Sequence, residues 1–174
     1  DATDVQPSRL EAAKNKVHDL IQRRAGARNG LIAYAGSAHL VLPPTDDPAL
    51  LDTFIQALST DLISKPGKNV GAVIEQAKRL LIAEKTPGTL LLITDGGDTS
   101  QLSGLDKQLD DSALQVLILA VGSEDGGIIH DANGQPRTDS NGRPALGRFD
   151  QAALKQLGST LDAPLGSLTF NDDD

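Results

Sequence analysis

Apolar positions along the chain fall into stretches of helical spacing separated by short, continuous apolar runs. Within residues 7–25, Leu10, Ala13, Val17, Leu20 and Ile21 share one helical face. Ser8-Arg9-Leu10-Glu11 has the form of a capping box, with Pro7 just ahead of it and Gly26 as the stop. Leu31-Ile32-Ala33-Tyr34-Ala35, bounded by Gly30 and Gly36, predicts a buried strand. His39 to Leu42 predicts a second strand, broken by Pro43-Pro44. A helix is expected over 48–58 behind Asp46 and Asp47, with Leu50, Leu51, Phe54 and Leu58 on one side. Pro66-Gly67 marks a loop, and Val70, Val73, Ala77, Leu80 and Leu81 predict a helix over 70–84.

Thr89 to Thr94 is the clearest strand, and it delivers Asp95-Gly96-Gly97-Asp98 at its C-terminal end. Residues 103–111 read as helical, and Gln115 to Val121 as another buried strand. Residues 122–148 are rich in Gly, Asp, Asn and Pro. Asn133-Gly134 and Asn141-Gly142 are hairpin-turn signals, so 126–147 is expected to leave the domain as a small hairpin-like excursion. Asp150 caps a last helix running to Leu157, Leu165 to Phe170 reads as a final strand, and Asp172-Asp173-Asp174 as a frayed end. No internal repeat or domain boundary stands out, so 1–174 is read as one domain. Helices alternating with buried strands argue for an α/β fold, an open and mainly parallel sheet with helices on both faces. Ligands of such sheets collect beyond the strand C-termini, where Asp95 falls.

Composition narrows the function. Apolar residues make up 39% of the chain but only Tyr34, Phe54, Phe149 and Phe170 are aromatic, so the core is aliphatic. The net charge is −8 and no basic cluster stands out, which leaves nucleic acid and anionic membrane surfaces without a footprint. The absence of cysteine excludes thiolate catalysis, cysteine–zinc sites and disulfides, and fits an extracytoplasmic location. No apolar run is long enough to span a bilayer. A chain that begins at Asp1 and holds no methionine reads as a piece of a longer protein.

Phosphate-cradling motifs are missing: Gly67-Lys68 lacks the remaining glycine pattern and is followed by Asn69. No serine lies in a Gly-x-Ser-x-Gly elbow, and His18, His39 and His130 are scattered, with His130 beside Asp131 read as a turn residue. The Asp95/Asp98 pair is left. Glycines beside Asp95 let a ligand approach the backbone, and a carboxylate there could hold a hard cation such as Mg²⁺ or simply cap the next turn. Both readings stand at this point.

Thr89-Leu90-Leu91-Leu92-Ile93-Thr94-Asp95-Gly96 resembles the strand and Thr-Asp-Gly segment of von Willebrand factor A-type (vWA) domains. Pro7-Ser8-Arg9-Leu10-Glu11-Ala12-Ala13-Lys14 resembles their first helix, and Gly30-Leu31-Ile32-Ala33-Tyr34-Ala35-Gly36 the next strand. Ala35-Gly36-Ser37-Ala38, Pro44-Thr45-Asp46 and Asp131-Ala132-Asn133-Gly134 are similar to the bacterial aerotolerance (Bat-type) membrane proteins. The resemblance implies a Rossmann-like sheet and a metal-ion-dependent adhesion site. Such a site joins an Asp-x-Ser-x-Ser loop, a Thr from a second loop and an Asp from a third, and a partner's carboxylate completes it.

Asp95 matches the third-loop Asp, and is the one metal ligand expected here. Lys68 stands where the Thr is expected, and an ammonium there supplies no lone pair and repels a divalent ion. The first strand and the Asp-x-Ser-x-Ser loop fall before Asp1, and lack of that strand leaves two interior sheet edges without a partner. The expectation is therefore no cofactor, with Lys68 in place of the cation; Mg²⁺ or Mn²⁺ is the alternative if Asp-x-Ser-x-Ser precedes Asp1. The expected function is binding another protein, not nucleic acid, through a rim of Ser37, Lys68, Asn69, Asp95, Gly96 and Asp98, with the excursion adding specificity. The parent is expected to be membrane-anchored at the periplasmic face of the bacterial inner membrane. The alternative is a metal-dependent hydrolase using Asp95 and Asp98, with His130.

Overall fold

The computed structural model describes residues 1–24, 26–98, 113–131 and 133–167. In chain order these form α1 (Arg9–Arg23), β1 (Asn29–Tyr34), β2 (Ala38–Thr45), α2 (Pro48–Gln56), α3 (Val70–Glu84), β3 (Gly88–Thr94), β4 (Leu114–Ala120), β5 (Gly127–Ile128), β6 (Leu146–Gly147), α4 (Gln151–Leu161) and β7 (Leu165–Ser167). The helix expected over 103–111 and the end of the last strand, 168–170, lie outside the described residues.

β3 and β4 run parallel in unbroken register from Gly88 opposite Leu114 to Thr94 opposite Ala120, and β7 joins the far side of β4, also parallel. β1 and β2 form an antiparallel pair of their own. Among the described residues no strand hydrogen-bonds the remaining edge of β1 or of β3. That is the gap expected where a vWA-type sheet has its first strand, and each open edge is a template for one more run of backbone.

Alternation along β1 shows that both sheet faces are covered. Leu31 packs against a cluster of Ile21 from α1, Leu42 from β2 and Leu51 and Ile55 from α2. Its neighbours Ile32 and Tyr34 point the other way, into the main core of α3, α4 and the parallel strands. There Val70, Ile74, Leu154 and Leu157 are completely or almost completely buried beside Leu92. α1 buries less of its apolar face than its periodicity suggests: Leu10, Ala13, Val17 and Leu20 are half-buried, while Arg9 and Lys14 are buried with Ile21. Lys14 joins α1 to the end of α2, its Nζ donating to Glu11 Oε1 at 2.7 Å and to the Gln56 carbonyl at 3.3 Å.

Two expectations need correction. β2 does not break at Pro43-Pro44 but continues to Thr45. Among the described residues it is paired on one side only, and the prolines fall at an irregularity where Asn29 faces Thr45 and Leu31 faces Leu42. Gly30 opposite makes room, since a Cβ there would sit 3.2 Å from the Leu42 carbonyl oxygen. α4 does not stop at Leu157 but runs to Leu161. Beyond Leu161 the chain folds back, and the Gly158 carbonyl accepts from the Ala163 amide at 2.9 Å.

The excursion is two hairpin turns in series, and, contrary to the expectation of no internal repeat, a short eight-residue repeat underlies them. Asp131-Ala132-Asn133-Gly134-Gln135-Pro136 is echoed by Asp139-Ser140-Asn141-Gly142-Arg143-Pro144. In each turn the aspartate Oδ1 accepts two backbone amides, from Asn133 and Gln135 in one and from Asn141 and Arg143 in the other. Gly134 and Gly142 supply the left-handed backbone, at φ 76° and 74°. Three residues eight apart close the unit: Ile129 donates to Ala145, Ala145 to Arg137 and Arg137 to Ile129.

Because Ile74 is wholly enclosed, Ile74→Ala is expected to cost about 2–5 kcal/mol of unfolding free energy, read as a lower urea midpoint at unchanged slope.

Candidate functional site

β3 ends at Thr94, which is buried and uses its hydroxyl to shape the turn that follows. Its Oγ1 donates to the Gly96 carbonyl at 2.5 Å. The Tyr34 side chain hydrogen-bonds Thr94 from β1, and burial pushes its phenol above the ordinary tyrosine range. The strand therefore presents Asp95 at the sheet's carboxyl end with a fixed direction. The backbone carbonyl of Asp95 accepts from the Asp150 amide at 3.0 Å, fastening it to the start of α4.

Each carboxylate oxygen of Asp95 meets a cation. Lys68 Nζ lies 2.6 Å from Oδ1, and Arg9 Nη1 donates to Oδ2 at 2.6 Å. Arg9 is the first residue of α1, and its side chain is only 7% exposed. It also grips Asp4 through two parallel bonds, Nε to Oδ1 at 2.8 Å and Nη2 to Oδ2 at 2.7 Å. Nη2 further donates to the Gly147 carbonyl at 2.8 Å, and Nη1 reaches the Arg148 carbonyl at 3.4 Å. Asp4 Oδ2 in turn accepts from the amide and hydroxyl of Ser123, at 2.7 and 3.1 Å. Burial alone would raise the Asp4 carboxyl, but the Arg9 fork and the Ser123 donors outweigh it and hold it at about 2. Burial likewise works against the Arg9 charge, and its bonds to Asp4 and Asp95 more than restore it, so its pKa lies above the ordinary value. Two carboxylates and two cations leave the cluster formally neutral.

Of the rim expected from sequence, Lys68, Asn69, Asp95, Gly96 and Asp98 come together. The Lys68 carbonyl accepts the Asp98 amide at 3.0 Å, and the Asp98 side chain is exposed. Gly96 is needed for Lys68 to reach across, since a Cβ there would stand 3.2 Å from both Lys68 Nζ and Asp150 Cβ. Asn69 is the N-cap of α3, its Oδ1 accepting from the Ala72 amide at 3.0 Å, so its side chain is committed. Ser37 lies on the β1–β2 turn, next to residues tied to the Lys68 loop: Gly36 donates to the Lys65 carbonyl, and Asn69 to that of Ala35. Its hydroxyl is paired with His39 Nε2 at 2.8 Å.

The residues that sequence reasoning missed are Arg9, Asp4, Ser123 and the Gly147 carbonyl. One signal was present. An arginine at the first position of a helix opposes the positive end of the helix dipole, and its place there asks for acidic partners. Asp4, five residues earlier, is one of them.

The implied metal does not fit the residues present. Both Asp95 oxygens are taken by side-chain cations, so a divalent ion would have to displace Lys68 or Arg9 and then face the other at short range. Among the described residues no group of three or more His, Asp or Glu side chains could hold a metal ion. His130 lies on the excursion, its amide donating to the Asp1 carbonyl at 2.8 Å and its Nδ1 buried without a hydrogen-bond partner.

The depressed Asp4 carboxyl makes stability depend on acid. Its contribution is full above the ordinary value of 3.8 and is lost as pH falls toward about 2, an effect on the order of 2 kcal/mol. Asp4→Asn is expected to lower stability at neutral pH, because it strips a buried guanidinium of an anionic partner, and to flatten the decline between pH 4 and pH 2. Urea unfolding across that range, for both proteins, checks the sign.

The model of the von Willebrand factor type A domain matches residues 1–97. The crystal structure of an aerotolerance-related membrane protein from Bacteroides fragilis is similar with a TM-score of 0.86 and 30% identity, over 97% of this chain and 85% of that one. BatB from Bacteroides thetaiotaomicron follows with a TM-score of 0.85 and 27% identity, over 98% of this chain and 85% of its own. A UPF0353 protein of Mycolicibacterium paratuberculosis is 27% identical over 101 residues, 56% of this chain and 31% of that protein. The chain thus spans about a third of the curated relative it matches. Proximal thread matrix protein 1 of the mussel byssus, with zinc in its MIDAS motif, shares the fold at a TM-score of 0.53 and 16% identity, over 63% of this chain and 30% of its own.

Proposed function

The chain belongs to the von Willebrand factor type A domain family, related to the Bat-type proteins, and we propose that it captures another protein at the carboxyl rim of its sheet without a metal ion. The observation that carries this reading is the pair of cations on Asp95. In the family such a rim is generally an adhesion surface, and the acid that a metal ion would use is here already neutralised by side chains. Lys68, 38% exposed, is the half of that pair open to a partner, while Arg9 is enclosed. An ammonium of this kind attracts an acidic partner group as a point charge and sets register more than affinity.

Catalysis has less to work with. A hydrolytic reading needs Asp95 free to bind a cation or activate water, and both its oxygens are engaged. The parent protein's anchoring in a membrane and its periplasmic placement belong to the same proposal, supported by the membrane-protein relative from Bacteroides fragilis. Among the described residues no helix is long and apolar enough to cross a membrane.

Two measurements test this. Titration with Mg²⁺ or Mn²⁺ is expected to leave the melting temperature unchanged; a stabilisation that disappears in Asp95→Ala would overturn the metal-free reading. Lys68→Ala, alone and with Asp95→Ala, is expected to reduce the proteins captured from a bacterial membrane extract while circular dichroism stays native. Undiminished capture by both variants, or turnover of phosphate-ester or ester substrates that the variants lose, would mean that the rim does something else.

A further inference from the structure

Asn133-Gly134 and Asn141-Gly142 shape the turns of the excursion, and the same dipeptide is also chemically reactive. Glycine places no Cβ in the way of its own backbone nitrogen. Once that nitrogen has lost its proton to water or hydroxide, it can attack Cγ of the preceding asparagine. A C–N bond forms, the side-chain nitrogen leaves as ammonia, and a succinimide ring results. Water then opens the ring, giving aspartate where Cγ is hydrolysed and isoaspartate where the backbone carbonyl is. No oxidant or cofactor is needed. Both asparagines are exposed, so water reaches them.

The two turns oppose this reaction in the same way. Ring closure needs a glycine N–H that can lose its proton and a peptide plane that can swing its nitrogen onto Cγ. Neither is available in the folded turns. Gly134 donates to the Asp131 carbonyl at 3.1 Å, and Gly142 to the Asp139 carbonyl at 3.0 Å. The backbone on either side is anchored as well. Asp131 Oδ1 accepts the Asn133 and Gln135 amides at 2.8 and 2.9 Å, and Asp139 Oδ1 accepts those of Asn141 and Arg143 at 2.8 and 2.9 Å. Across the mouth of each turn, Asp131 donates to the Gln135 carbonyl at 2.9 Å and Asp139 to that of Arg143 at 2.7 Å. Packing adds no restraint at the glycines, since beyond the chain neighbours a Cβ on either would meet nothing within 4 Å. Hydrogen bonds hold the turns, and one aspartate is the central acceptor in each.

We infer that Asn133 and Asn141 are deamidation sites kept closed by their aspartate-capped turns, each turn guarding its own asparagine. Conversion adds a negative charge, and the isoaspartate product also inserts a methylene into the backbone. A turn that uses the amides of both Asn and Gly as donors cannot keep that pattern in a longer chain. Deamidation at either site therefore loosens the unit that Ile129, Arg137 and Ala145 close.

Peptide mass spectrometry tests this, because trypsin cuts after Arg137 and puts Asn133 and Asn141 on separate peptides. The protein is kept in warm, mildly alkaline buffer, folded or in urea, and the conversion at each site is followed with time. In urea both sites convert at the rate of an unrestrained dipeptide. In the folded protein both are expected to convert at least roughly tenfold more slowly, since bonds to a charged acceptor must break first. Asp131→Ala is expected to speed Asn133 by a similar factor and leave Asn141 at the wild-type rate, and Asp139→Ala does the reverse. The untouched copy reports, within each variant, that the domain is still folded. Asp131→Asn keeps an acceptor oxygen without the charge, and is expected to convert at Asn133 more slowly than Asp131→Ala. Equal rates in folded and urea-unfolded protein overturn the inference. So does an alanine variant that leaves its own asparagine unaffected, or one that releases both together. Asp131→Asn converting as fast as Asp131→Ala would trace the effect to charge instead of hydrogen bonding, and overturns it too.

Discussion

A guanidinium taken out of water loses its solvation shell, and it remains charged only where anions and carbonyls replace that shell on almost every N–H. Arg9 meets this condition with acceptors from three separate stretches: Asp4 ahead of α1, Asp95 at the end of β3, and the Gly147 and Arg148 carbonyls where the excursion returns. Since none of these can move far without stranding the charge, one side chain fixes their mutual positions. Arrangement at the rim is thus a consequence of burying Arg9, and Lys68 completes it from the solvent side.

The rest of the local design follows from the parallel sheet. Strand C-termini and helix N-termini lie at the same end, so the caps of α1, α3 and α4, Ser8, Asn69 and Asp150, gather around Asp95 and its neighbours. Helix N-termini carry partial positive charge, which favours an acid there and disfavours a bare cation. Arg9 and Lys68 can sit in this field because Asp4 and Asp95 are within 3 Å of them. The acids would tolerate the place alone; the cations would not. Arg9 is accordingly enclosed together with Asp4, while Asp95 and Lys68 remain partly open to solvent.

Much of this fold could be read from periodicity, because α3 and β3 satisfy local propensity and tertiary packing together. Val70–Glu84 matches the helix expected over 70–84 residue for residue. Elements went astray where a tertiary condition overrode a local rule. Pro43-Pro44 breaks an interior strand but not a strand paired on one side with an irregularity opposite Gly30. The site divided in the same way. Asp95 was legible as a carboxylate crowning an apolar strand, and Lys68 as an ammonium out of keeping with its family position. Arg9 was signalled only by its place at the first position of a helix with Asp4 nearby, because its other partners lie as far away as residue 148 and leave no local trace. The repeated turns at Asp131 and Asp139 were legible in principle, but their closure through Ile129, Arg137 and Ala145 emerges only when three separate segments meet.

A neutral cluster of ion pairs is a poor source of affinity by itself, since a partner's charge must pay for the desolvation of charges already satisfied. It is a good source of register, because its geometry is fixed. Gly147 ties the excursion to this cluster, its carbonyl on Arg9 and its strand neighbour Leu146 facing solvent. Moving the excursion therefore disturbs the rim, and straining the rim disturbs the excursion. One buried guanidinium thus holds the end of β3 and the returning excursion in a fixed relation.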